Sequence, residues 1–287
     1  MKKKRRNSFG AETWRRLKKS KSAMVGVVIL LVFAFFILFA DIIANYETKV
    51  IAQDYTNTFQ PPSSAHWFGT DEYGRDVFAR VIHGGRISLS VGFISTAIAV
   101  VIACFIAAAA AYYGGLFDSI VMRILDMFMG LPLLLLAIVI AAALGPGVVN
   151  LSVAIIISEI PRFTRIIRSV ILNIIGADYI EASKAYGSTD MTIITAHILP
   201  NAMGSIIVQA TMSVSAVILT TSAMSYLGMG IQPPSPEWGS MLSDGKEFMR
   251  YSPYLVIFPG LAIAISALAL NLLGDGLRDA MDPKLRD

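Results

Sequence analysis

Six stretches of about 20 largely apolar residues recur along this 287-residue chain, and each can cross the ~30 Å hydrocarbon core of a bilayer as one helix. They cover 24–44, 88–113, 120–144, 148–168, 203–227 and 253–273. Inside hydrocarbon a segment must satisfy its own backbone hydrogen bonds, which a helix does. The expected fold is therefore all-α, a membrane protein with six transmembrane helices. Composition agrees: 15% of residues are charged, against about 25% in soluble domains. The fourth stretch is the least regular. Its clean apolar run stops at Ile160 before Pro161, and Arg162, Arg165 and Arg168 follow at a three-residue spacing. Such arginines predict a helix end whose guanidinium groups snorkel to lipid phosphate.

The basic residues set an orientation. The first 23 residues hold ten Lys/Arg, including Lys2, Lys3, Lys4, Arg5 and Arg6, against Glu12 alone. A basic run directly before an apolar span is a topology and lipid-headgroup signal more often than a nucleic-acid tail, and no nucleic-acid partner is expected. Trp14 and Leu17 suit an interfacial lead-in helix. The first apolar run is too long for a signal-peptide core and has no clear small-residue cleavage site, so it is expected to be retained. With both termini inside, 17 Lys/Arg fall in inner segments and six in outer ones, the bias the positive-inside rule requires. This arrangement gives a basic inner lead-in (1–23), a first span (24–44), an extracytoplasmic segment (45–87), a transmembrane domain (88–275) and an inner tail (276–287). Cys104, the sole cysteine, excludes an internal disulfide.

On the inner side, 178–201 is a polar island in the apolar chain. Asp178 and Glu181 have the spacing of a capping box, opening a helix through Tyr186. Gly187 is placed to end it, because glycine enters the left-handed C′ conformation without a Cβ penalty. Ser188, Thr189 and Asp190 offer caps for a second helix to Pro200. The expectation is a short rigid elbow. Its residues also resemble a family signature. Glu181-Ala182-Ser183, then Gly187, then Leu199-Pro200 follow the E-A-A-x3-G-x9-I-x-L-P pattern of the cytoplasmic loop of ABC-importer permeases. Ser183 replaces the second alanine, and His197 stands in the isoleucine slot. The resemblance implies that Glu181, Ala182, Ser183, Gly187, His197, Leu199 and Pro200 dock in a groove on a separate ATP-binding subunit. An ordinary capped helix pair, with Glu181 as a cap, accounts for the same residues.

The segment His66-Trp67-Phe68-Gly69-Thr70-Asp71-Glu72-Tyr73-Gly74-Arg75-Asp76 interleaves acids with Arg75, Arg80 and Arg86, and reads physically as a self-neutralised surface loop. It also resembles, with Gly85-Arg86-Ile87-Ser88-Leu89 after it, the C-type permease subunit of dipeptide and oligopeptide importers, to which nickel and glutathione importers are close. Tyr113-Gly114-Gly115 as a tight turn, Arg123 and Asp126 as an i, i+3 pair, Pro236-Glu237-Trp238-Gly239 with Trp238 at the outer interface, and the tail from Asn271 to Lys284 extend it. The resemblance implies the type I ABC-importer permease fold in a bacterial plasma membrane. It also implies a second, B-type permease, two ATP-binding subunits and an extracytoplasmic peptide-binding protein as partners.

No G-x-x-x-x-G-K-[ST] phosphate loop is present, since Gly245-Lys246 is followed by Glu247, so ATPase activity is expected in separate subunits and no cofactor in this one. His66, His83 and His197 are too dispersed for a metal cluster. Glu159 is an intramembrane acid and so a candidate for proton coupling, but Arg162 lies three residues away and can neutralise it. A self-sufficient secondary transporter would need paired ionisable groups or broken helices near the midplane, for which Glu159, Pro161 and Pro259 are the available residues. For cargo, di- or oligopeptides are expected, with nickel and glutathione as the alternatives. Gln209, Thr211, Ser213, Ser215, Thr220 and Thr221 either line a tolerant peptide path or pack between helices.

Overall fold

The computed structural model describes residues 9–281, and its named elements are all helices. The basic run from Lys2 to Arg6 and the tail residues Asp282, Pro283, Lys284 and Arg286 lie outside the described residues. A short lead-in helix α1 (Phe9–Leu17) precedes α2 (Lys21–Leu38) and the single turn α3 (Ala40–Ile43). A folded segment then leads to the long α4 (Val77–Tyr113), which begins eleven residues before the apolar run at 88. The Gly114-Gly115 turn, both glycines at positive φ, opens α5 (Gly115–Met129), followed by α6 (Leu133–Leu144) and α7 (Val148–Ile175). The elbow comprises α8 (Asp178–Ala185), the short α9 (Asp190–Thr192) and a π-helical stretch Ile193–Ile198, which leads directly into α10 (Leu199–Tyr226). After a loop, α11 (Trp238–Gly245) and α12 (Tyr254–Met281) complete the chain.

All six apolar stretches are helical, but two differ from simple spans. Among the described residues four helices are long and apolar enough to cross a membrane, or five if α5 and α6 count as one bent span. The expected single span over 120–144 is instead broken, with α5 and α6 meeting at 86°. The break falls at Gly130-Leu131-Pro132, where proline has no N–H to donate and disfavours helical backbone at the residue before it. In α7 the helix does not stop at Pro161. It runs on to Ile175, carrying Glu159, Arg162, Arg165 and Arg168 with it.

Those arginines meet acids within the chain. Arg165 Nη2 sits 2.5 Å from Asp126 Oδ1 on α5, and Arg168 grips both carboxylate oxygens of Asp118, also on α5. Arg162 lies 3.6 Å from Glu159 within α7. The expected Arg123–Asp126 pair is therefore replaced by a pair between helices, because the bend after α5 lays its acidic face across the arginine row of α7.

Helix α4 is central, with α7 along one side and α10 along another. Ala99, Ala103, Ala107 and Ala111, one turn apart, form a small-residue stripe buried against Phe163, Ile167 and Ile171 of α7. Small side chains let two helix backbones approach closely, the main source of packing energy where lipid is as apolar as leucine. Helix α12 lies on α10, and α2 lies outermost, against α12. The contact is tight at Gly26, where a Cβ would sit 2.6 Å from the Ala269 carbonyl oxygen.

At the end of the bundle where α4 begins, the segment 45–76 forms a cap. The interleaved acids and arginines are not all on a surface loop: Asp71 and Arg75 of the cap and Arg80 of α4 are 5%, 3% and 3% exposed. Asp71 Oδ2 lies 2.7 Å from Arg75 Nε and 3.5 Å from Arg80 Nε, while its Oδ1 accepts from the amides of Tyr73 and Arg75. Arg80 also donates to the carbonyls of Val50 and Pro234, joining the cap to the loop before α11. Arg86 pairs with Asp41 instead. Asp76 caps α4 through the Ala79 amide, 2.9 Å, and holds His66 Nδ1 at the same distance. Trp238 is not at an interface but 1% exposed. Its indole N–H donates to the Val81 carbonyl at 2.8 Å and its ring meets Phe33 edge-on, because α11 folds down against α4.

Candidate functional site

The elbow stands at the opposite end of the bundle, where α4 and α7 finish. Its apolar side is fixed. Ile180 of the first arm and Ile193, Ile194 and Ile198 of the second are buried in the same cluster as Phe163 and Ile171 of α7 and Ala107 and Ala111 of α4. Its other side is open: Glu181, Ala182, Gly187 and Pro200 are exposed, and Ser183, His197 and Leu199 are partly so. Tyr186, at the corner, is 92% exposed.

The bend is built by backbone chemistry. Tyr186 is the C-cap of α8 and Gly187 follows at φ +78°. The Gly187 amide donates to Lys184 O at 2.9 Å and the Ser188 amide to Ser183 O at 3.2 Å, the two bonds of a Schellman cap. Thr189 then caps the second arm through the Thr192 amide at 3.3 Å. Two expectations change here. The capping box is not formed, because α8 starts one residue early: Ala177 is the N-cap and no side chain bonds there. Glu181 is thereby free of the local role that would have explained it. Nor does the second arm end at Pro200. The π-helical stretch Ile193–Ile198 widens the helix just before the proline, which lies in the first turn of α10. Proline's ring would otherwise meet the carbonyl four residues back. The arm and span are one helix, Asp190–Tyr226.

One contact was invisible in the sequence. Tyr112, in the last turn of α4, donates its hydroxyl to Asp190 Oδ1 at 2.7 Å, and Lys184 Nζ lies 4.8 Å above its ring. Nothing in local spacing links position 112 to positions 184 and 190.

Of the small polar residues on α10, Ser213, Ser215 and Thr221 are buried within the chain, where Ser215 donates to Asn271 at 2.6 Å. Gln209, Thr211 and Thr220 remain partly exposed. Glu159 is buried, with one carboxylate oxygen lacking a hydrogen-bond partner.

A bundle of this kind, with an exposed elbow between two membrane-directed helices, defines a transporter permease. Residues 77–287 match the family described as binding-protein-dependent transport system inner membrane component, and residues 8–62 match the N-terminal transmembrane domain of oligopeptide transport permease C. The chain belongs to this family: it is the membrane permease subunit of an ABC importer, of the type I fold. Among its relatives is the dipeptide transport system permease protein DppC of Alkalihalophilus pseudofirmus, 42% identical over 275 residues that cover 96% of this chain and 90% of the relative. The glutathione transport system permease protein GsiD of Escherichia coli is 41% identical with the same coverage. A solved structure of the MetNI methionine ABC transporter superposes with a TM-score of 0.59 at 18% identity, covering 71% of this chain and 97% of that one. Such permeases are multi-pass membrane proteins, in bacteria of the plasma membrane, and work with other permease and ATPase subunits.

Proposed function

We propose that this chain forms half of an import pathway for short peptides and that 178–201 is its docking element for an ATPase subunit. The observation that carries the docking role is the two-sided elbow: isoleucines pin one side into the bundle, while Glu181 and Tyr186 face outward with no task inside the chain. A groove on a soluble ATPase is the surface such a protrusion fits. The complete transporter would hold this chain, a B-type permease, two ATPase subunits and an extracytoplasmic peptide-binding protein. ATP-driven closure of the ATPase pair would move the elbows and switch the pathway between its two openings.

Both termini are then cytoplasmic, with the cap outside. In a Cys104→Ala background, single cysteines at Ser63 and Ser235 react with an impermeant thiol reagent from outside intact cells, and one at Ser188 does not. Labelling of Ser188→Cys from outside overturns this orientation.

Short peptides are the cargo that the relatives suggest, since a dipeptide and glutathione, itself a tripeptide, share a peptide backbone. Deleting the gene is expected to abolish growth of an amino-acid auxotroph on the required amino acid given as a dipeptide, while growth on the free amino acid continues. Unchanged peptide use with lost nickel-dependent enzyme activity would move the assignment to metal import.

A further inference from the structure

We infer that Tyr112 is a positioning residue that ties both arms of the elbow to the end of α4, so that elbow and α4 move as one body. This rests on the docking role proposed for the elbow. The two arms diverge at Gly187, and their isoleucines pack against α4 and α7 without any directional bond. The second arm takes its axis from the continuous helix Asp190–Tyr226, but the directional contacts between the elbow and α4 come from one aromatic ring. Its hydroxyl donates to the carboxylate of Asp190, the first residue of the second arm, and its face receives the Lys184 ammonium from the last turn of the first arm. The ring itself packs on the buried cluster shared by α4, α7 and the elbow. A hydrogen bond to a charged acceptor and a cation over a ring are both sensitive to geometry. Rotation of the elbow relative to α4 breaks one or both, whereas the greasy contacts of the isoleucines tolerate sliding.

The prediction separates coupling from folding. In the assembled transporter reconstituted in liposomes, Tyr112→Phe keeps the ring and its packing but loses the hydroxyl. Complex yield and melting temperature are expected to stay near wild type, while substrate transported per ATP hydrolysed falls roughly three- to tenfold, the range of an ordinary net hydrogen bond, since this one is solvent-exposed. Asp190→Asn weakens the same bond from the other side, and the double variant loses no more than Tyr112→Phe alone, because both act through one interaction. Wild-type coupling in Tyr112→Phe, or additive losses in the double variant, would overturn the inference. If Tyr112→Phe does not assemble, Asp190→Asn carries the same coupling test. Gly187→Val distinguishes the two levels: transport intact in that variant sinks the docking role, whereas transport lost there but coupling intact in Tyr112→Phe sinks only the tie.

Discussion

Replacing Gly187 with valine is expected to abolish transport while leaving the protein inserted in the membrane. The position has φ +78°, and a Cβ built there meets nothing within 4 Å. Space is therefore not the obstacle. The obstacle is backbone: a β-branched residue at positive φ is a genuine outlier, and strain of this sort costs about 1–3 kcal/mol. The elbow has few ways to absorb it except by giving up the Schellman bonds from Gly187 and Ser188, which unlocks the angle between the arms. The spans are untouched, so insertion and subunit levels in membrane fractions stay normal. Substrate-stimulated ATPase and uptake should both fall to background. Asparagine, which tolerates the left-handed region, should retain most activity at the same site. Full uptake by the valine variant would show that the bend has no part in coupling.

The largest stability effect is expected at the other end of the molecule. Asp71→Ala removes the carboxylate that lies against two buried guanidinium groups, leaving Arg75 and Arg80 to face each other. Breaking a buried ion pair from one side costs about 3–5 kcal/mol, and each kcal/mol lowers the melting temperature of a chain near this size by about 2–4 °C. The neighbouring acids are poor substitutes. Burial raises the pKa of both Glu72 and Asp244, and this main cause remains when the smaller push from the Asp71 charge is removed. Glu72 also approaches Arg75 only to 3.7 Å. The unfolding transition of this subunit should therefore shift by roughly 6–20 °C. A shift below about 2 °C would mean that the cap redistributes its charge after all.

What could be read from the sequence was what depends on neighbours along the chain. Apolar runs of span length announced helices, Gly187 its own positive φ, and Thr189 a cap for the second arm. Failures came where a distant element decided the outcome. Asp126 has a suitable arginine three residues before it, yet binds Arg165, because a bend elsewhere brings α7 under α5. Trp238 has the composition of an interfacial residue but is covered by α4. Pro200 ends helices in isolation, and here a π-helical turn lets the helix pass. Glu181 sits at capping-box spacing from Asp178, but a start displaced by one residue removes the role. The Tyr112 contacts reach 72 and 78 residues along the chain, and only folding brings them together.

The uninterrupted helix from Asp190 to Tyr226 is 37 residues long, which at 1.5 Å per residue makes a rod of about 55 Å. One end is elbow and the other is the loop before α11, whose Pro234 carbonyl accepts from Arg80. Beyond Leu199 the rod has no joint at which to lose a stroke, so under the docking role proposed above a tilt imposed by an ATPase subunit on its first turns is delivered as a swing of the far tip, larger the nearer the pivot lies to the point of push. The single place where the rod is wound differently is Ile193–Ile198, within the elbow itself. On that reading the lever has its wrist at the handle and a stiff shaft beyond it, an arrangement that converts a small thrust at the elbow into displacement at the end of the bundle that carries the cap.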